Sequence, residues 1–340
     1  KPISRILIFQ IIVWIFYGIF YTDSSYLTRA FLLIVTFGIL GLQLSYRNKF
    51  EFIKTYNFWI AIQALAGTVG FVLVIFGLLE PIFQFTQMDG RTGTFYGLFT
   101  TNAVFDGFIR NAGFFDEPGS LAGWGILALL LNKLFINNKK IEFLLLFGLI
   151  STLSMAYFIQ VTAYLYFFYK KQRKRILLPV ILFILILIGI SSFNEGISNE
   201  IFGRFTINQK TGFLNGDNRL DLLEKCWRIF TTSPIIGKGA TNLVTNITNT
   251  EGFLGANFFL NWASDGIIGV VVTYIPLMFL LKLGQSKKEY TYASIIIFIG
   301  FLQRPYTDSI LLYPLILFTL ILFAYLDVNG KNFIRLSKSI

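Results

Sequence analysis

Charge is missing from this chain over long distances, and that absence constrains its fold more than any motif does. Apolar stretches without a single ionisable residue, such as Ile176–Phe193 and the run from Asn57 to Leu79, recur from one end to the other. A hydrocarbon core about 30 Å thick needs roughly 20 apolar residues per helical crossing. Inside lipid the backbone must satisfy its own hydrogen bonds, so a spanning chain forms helices or a closed barrel. Barrel strands alternate apolar and polar residues, and "LLPVILFILILIGI" does not alternate. The expected class is therefore an all-α, polytopic helical membrane protein.

Composition agrees. Only 14 % of the 340 residues are charged and mean hydropathy is +0.66, whereas soluble domains carry about 25 % charged residues. The net charge of +11 follows from the excess of Lys and Arg in cytoplasmic loops, so no nucleic-acid partner is expected. A single cysteine, Cys226, rules out an intrachain disulfide. The chain has no histidine, which excludes an imidazole base, histidine metal ligands and a Ser-His-Asp triad.

About ten transmembrane helices are expected, over 6–21, 26–45, 56–79, 118–136, 141–153, 155–169, 176–193, 257–281, 290–302 and 309–326. The first is read as a span because no small-residue cleavage site precedes Asp23. "NNKK" before residue 141 and "KKQRKR" after residue 169 both look cytoplasmic. Equal flanks require an even number of crossings, so 141–169 reads as two short helices turning near Ser151–Ser154. With this topology Lys and Arg gather on one side and most acids on the other, and both termini face the cytoplasm. The whole chain, 1–340, is one integral membrane domain. Two large external loops, 80–117 and 194–256, carry the expected active-site region. No ionisable residue falls near the middle of an expected span, which counts against an ion-coupled carrier.

The second loop is too long to be a mere connector. Within it Leu220, Leu223, Trp227 and Phe230 recur at helical spacing from Asn218, with Ser233-Pro234 as the stop. Asp221 with Lys225, and Glu224 with Arg228, are i,i+4 pairs of a solvated face. Arg219 is different: a cation in a helix's first turn opposes the dipole, and beside exposed amides it suits a phosphate. The first loop closes with "IRNAGFFDEPGSLAG". Glu117 before Pro118 is ordinary helix-start grammar, but Arg110 seven residues away and the glycines between suggest that carboxylate and guanidinium converge. Arg91, Arg204 and Arg304 also lie outside, and arginine favours bidentate phosphate contact. Walker-loop and Asp-x-Asp patterns are absent, so neither metal nor other cofactor is expected.

Three segments, "RNAGFFDEPGSLAGWGILALLL", "NRLDLLEKCWRIFTTSPIIGKGATN" and "GANFFLNWASDGIIGVV", resemble in that order segments of the Wzy-type O-antigen and capsular polysaccharide polymerases. The resemblance extends to the hydropathy and loop plan of the chain. It implies a glycosyltransferase of the bacterial cytoplasmic membrane whose active site faces outward. Its substrates would be undecaprenyl-diphosphate-linked oligosaccharide repeat units, with a growing glycan leaving its carrier for the non-reducing end of a new unit. Membrane lipids, a chain-length-regulating co-polymerase and a flippase are the further partners implied. Arg110, Glu117 and Arg219 match the family's polar positions, and Gly237 and Gly239 its turn. Related O-antigen ligases carry a histidine where this chain has Asn257, which points away from a ligase. The hairpin's turn often bears an arginine after serine, where Met155 follows Ser154 here.

The chemistry fits the inventory of residues. Arg219 and Arg110, assisted by Arg91, Arg204 or Arg304, would stabilise a departing diphosphate. Glu117 is the first candidate to accept the proton of the attacking hydroxyl, followed by Asp217 and Asp221. Trp124, Trp227 and Trp262 could stack on sugar faces. A ligase, or a flippase of lipid-linked oligosaccharide, are the alternatives.

Overall fold

The computed structural model describes residues 2–86, 92–97, 100–103, 110–115, 117–170, 219–247, 254, 257–303 and 311–329. Helices dominate. They are α1 (Pro2–Phe20), α2 (Ser24–Ile34, continued to Gln43 by wider π-type turns), α3 (Tyr46–Ile75) and α4 (Pro118–Leu131, continued to Ile136). Then come α5 (Lys139–Gly148), α6 (Met155–Phe168), α7 (Arg219–Thr232), α8 (Leu260–Leu283), α9 (Lys288–Gln303) and α10 (Leu312–Val328). Among the described residues four helices are long and apolar enough to cross a bilayer: Pro2–Phe20, Tyr46–Val74, Pro118–Ile136 and Leu260–Leu283. The expected span 176–193 and loop residues 194–218 lie outside the described residues.

α1 is apolar on its exposed face as well as on its buried one. On α1, Ile8, Phe9, Ile12, Phe16 and Ile19 are exposed, while Gln10 is buried and donates from Nε2 to Val272 O at 2.8 Å. An exposed large apolar surface with polar groups inside is what a lipid solvent selects.

The chain divides into two compact units: 1–57, 130–137 and 219–340 form the first, and 58–129 with 138–218 the second. In unit 1, α1 and α2 are an antiparallel hairpin, closed tightly enough that a Cβ on Gly18 would lie 2.5 Å from Leu27 Cδ2. Asp23 caps α2 by accepting from Ser25 N. α1 runs antiparallel to α8, since Gln10 reaches Val272 and Tyr17 reaches Asp265. α8 and α9 are antiparallel through Ser294 to Leu277 O and Tyr274 against Phe298. α10 returns along α9, with Tyr313 on Phe301 at one end and Asp327 bonded to Lys287 and Tyr290 at the other. One end of unit 1 therefore gathers Tyr21–Asp23, the end of α7 and the start of α8. The other gathers Lys282, Lys287 and Lys288.

In unit 2, α5 and α6 form an antiparallel hairpin. Tyr157 donates to Leu146 O at 2.5 Å, and further along Tyr164 and Tyr169 both donate to Glu142. The break lies at Leu149–Thr152 and Leu153, the latter at φ +47°, where two short helices were expected to turn. Glycine makes the close approaches: a Cβ on Gly125 would sit 2.1 Å from Leu149 Cδ1, and one on Gly148 2.8 Å from the Ala64 backbone.

Unit 2 also holds a feature that the all-helical reading did not anticipate. Phe83–Thr86, Thr92–Gly97 and Thr100–Ala103 (β1–β3) pair antiparallel in the order β1-β2-β3. Phe83 stands opposite Phe95 with ring centroids 5.1 Å apart, and Phe85 opposite Gly93, where any side chain would strike its ring. In this register Phe83, Phe85 and Phe95 alternate with the polar Gln84, Thr86 and Thr94, a period of two that suits a pleat better than a helix.

Candidate functional site

The described candidate residues fall in two clusters, one within each unit. In unit 2 the segment leading to α4 docks on the α5–α6 turn. Arg110 donates from Nε to Thr152 O and from Nη2 to Leu153 O, each at 3.2 Å. Asn111 is wholly buried: its N–H donates to Ser151 O, its Nδ2 to Ser151 Oγ, and its Oδ1 accepts from Gly113 N. Gly67 on α3 leaves room for this amide, since a Cβ there would lie 2.3 Å from Asn111 Nδ2. Thr68 closes the knot by donating to Gly148 O and pairing with Ser151. Helices leave their last carbonyls unpaired, and here a guanidinium and an amide take those of the turn. Gly113, at φ +61°, turns the chain against Leu121. Glu117 then opens α4, its carbonyl accepting from Ser120 N and its half-buried side chain standing before Pro118.

In unit 1 the site is built on a broken helix. α8 loses helical geometry at Gly266, with φ +62° and ψ −170°. The loop after α7 fills the gap. Lys238 N donates to Ala263 O and Gly239 N to Ser264 O, both at 2.9 Å, while Ile267 N donates to Pro234 O and Ile268 N to Ile235 O. Backbone groups freed by a break in a membrane helix must find partners in protein, and this loop supplies four. Gly237 and Gly239, at φ +78° and +85°, make the approach feasible; a Cβ on Gly237 would lie 2.2 Å from Ser264 O. The amides that begin the second half of α8 are thus occupied by loop carbonyls.

Around this knot stands a group that the sequence reading missed. Asp265, fully buried, accepts from Tyr26 at 2.6 Å and from Arg29 Nη1 at 3.1 Å, and its carbonyl accepts from Tyr17 at 2.7 Å. The Arg29 guanidinium also lies 5.3 Å from the Trp14 ring and 4.9 Å from the Tyr26 ring, distances at which cation–π attraction operates. Tyr21 donates to the carbonyls of Ile236 and Gly237. Asp23 accepts from Thr241 N and Oγ1 as well as from Ser25 N. Burial pushes its carboxyl up, but these hydrogen bonds outweigh burial and hold it below the ordinary carboxylate value.

α7 is fixed to the start of α8. Trp227 packs on Phe259 and Phe230 on Trp262, and Asn257 donates to Cys226 Sγ and Leu254 O while accepting from Phe259 N. Burial pushes the Cys226 thiol up, opposed by the Asn257 contact. Asn257 is itself buried in this joint.

Among the remaining candidates, Arg219 is the first residue of α7, in unit 1. Asp221 is exposed and paired with Lys225 at 2.8 Å, as its spacing implied. Arg91, Arg204, Asp217 and Arg304 lie outside the described residues. Arg110 and Glu117 share unit 2. A signal for Asp265 did exist: Ser264-Asp265-Gly266 interrupts an otherwise apolar stretch. Its partners on α1 and α2 are more than two hundred residues away, so spacing could not name them.

No family model, curated protein or solved structure matches the chain.

Proposed function

We propose that this protein is a polysaccharide polymerase of the bacterial cytoplasmic membrane, acting on O-antigen or capsule repeat units. It transfers a growing glycan from undecaprenyl diphosphate to the non-reducing end of another undecaprenyl-diphosphate-linked unit. About ten helices cross the membrane, both termini face the cytoplasm, and loops 80–117 and 194–256 carry the active site on the outer face. A co-polymerase and a flippase are its expected companions.

The observation that carries this reading is the interlock between the Pro234–Gly239 loop and the break in α8. Two of the three segments on which the resemblance rests, separate in sequence, are one hydrogen-bonded motif. Catalysis by a fixed array of charges needs rigid supports, because donors already in place cost no reorganisation when charge develops. The docking of Arg110 on Thr152 and Leu153, and of α7 on α8, meets that need.

In the proposed step Glu117 accepts the proton of the attacking sugar hydroxyl. The hydroxyl oxygen forms a bond to the anomeric carbon of the growing glycan. The bond from that carbon to the diphosphate oxygen breaks, and Arg110 and Arg219 stabilise the charge on the departing lipid diphosphate.

The test supplies purified protein in liposomes with undecaprenyl-diphosphate repeat units alone and resolves product length. A ladder supports the polymerase. Unchanged lengths with units moved between leaflets would replace it with a flippase.

A further inference from the structure

We propose that Lys238 is a binding residue for the phosphate-bearing head of the lipid-linked substrate, a role that rests on the transferase reading above. The proposal starts from how the residue is held. Lys238 lies between Gly237 and Gly239, both with left-handed backbone and both buried, while its own side chain is half-exposed. Its N–H is tied to Ala263 O at 2.9 Å, and its carbonyl accepts from Asn242 Nδ2 at 3.1 Å. A residue on a mobile loop would lose backbone freedom on binding a ligand. Here folding has already removed it, and the remaining cost is one side chain.

The charge is the second part of the argument. Among the described residues, Lys238 Nζ has neither an ion pair nor a hydrogen bond. Among the described residues two carboxylates are buried at this end of unit 1, and other donors take both: Thr241 and Ser25 bond to Asp23, and Tyr26 and Arg29 to Asp265. An ammonium on a fixed backbone, with no counter-charge among the described residues, suits an anion. An ammonium acts on phosphate as a point charge, without the bidentate geometry of arginine. The ring-rich joint beside it (Trp227, Phe230, Phe259 and Trp262) supplies an apolar border to the same end of the unit.

A phosphate could come from the substrate or from an ordinary anionic lipid, and the experiment separates them. Full-length protein, wild type and with Lys238→Ala or Lys238→Arg, is placed in phosphatidylcholine nanodiscs. Its affinity is measured for undecaprenyl diphosphate and, separately, for phosphatidylglycerol. Lys238→Ala should weaken undecaprenyl diphosphate binding about tenfold or more, and Lys238→Arg should restore most of it. Thermal unfolding should be unchanged, because the side chain supports nothing in the fold. In the elongation assay KM should rise by a similar factor while kcat stays within about twofold of wild type. Unchanged affinity in Lys238→Ala overturns the proposal. So does a loss confined to phosphatidylglycerol, which would make Lys238 a headgroup contact. Binding needs no turnover, so failure of the polymerase reading would show instead as intact diphosphate binding without a product ladder.

Discussion

Arg29 and Asp265 form a buried ion pair, 3.1 Å apart, at the point where α8 breaks. The pair ties the α1–α2 hairpin to the one place in α8 where the backbone leaves its helical path. Removing one partner of a buried pair leaves an uncompensated charge and costs about 3–5 kcal/mol. Asp265→Ala should therefore lower the unfolding temperature sharply, while the double variant Arg29→Met, Asp265→Ala should recover a substantial part. A double variant no more stable than Asp265→Ala would show that the two groups do not act as a pair.

Gly237 should resist substitution. Its φ is +78° and a Cβ would meet the Ser264 carbonyl at 2.2 Å. A left-handed backbone alone costs a non-glycine residue about 1–2 kcal/mol, and this clash with main chain adds to it. Gly38 is the control, because nothing lies within 4 Å of the Cβ it would gain. Thermal unfolding should place Gly237→Ala well below wild type and Gly38→Ala at or above it.

Asp23 makes stability pH-dependent in a defined direction. Its carboxyl is held below the ordinary value by Thr241 and Ser25, so folding favours the ionised form. This contribution is complete above the unfolded value near about 4 and is lost as pH falls through the lower folded value. The stability gap between wild type and Asp23→Asn should therefore be full at neutral pH and shrink below about pH 4. A gap that widened on acidification would contradict the assignment.

Arg110 combines support with proposed chemistry, and two measurements separate them. Its hydrogen bonds to the Thr152 and Leu153 carbonyls are charge-assisted and worth about 1.5–3 kcal/mol each when lost. Arg110→Lys keeps the charge but not the planar fork, and should lose less stability than Arg110→Ala. If Arg110 also stabilises the leaving group, activity per folded molecule should fall in both variants. Activity that simply tracks the folded fraction would leave Arg110 as a support alone.

The helical, apolar character of the fold was legible because lipid imposes a simple rule on composition. The α5–α6 hairpin followed from basic flanks at both ends of 141–169, and the structure turns at Leu149–Leu153. Local pairs such as Asp221 with Lys225 were legible because helical spacing alone brings them together. The β1–β3 sheet was not, since 80–117 was read only as an external loop, although Phe83 and Phe85 alternate with Gln84 and Thr86. Asp265 escaped notice because one carboxylate near the start of an apolar run looks like a helix-end residue. What makes it special is contact with Tyr17, Tyr26 and Arg29, which only the tertiary fold supplies. The place of Asn257 in the joint with Cys226 was not legible either, because its partner lies on a separate helix.

The most direct measurement is the length distribution made in liposomes from undecaprenyl-diphosphate repeat units by wild type, Glu117→Gln and Arg219→Ala, at equal folded protein. The account predicts a ladder from wild type and single units from both variants. A wild-type protein that leaves the units at their starting length, or variants that build the same ladder, would contradict it.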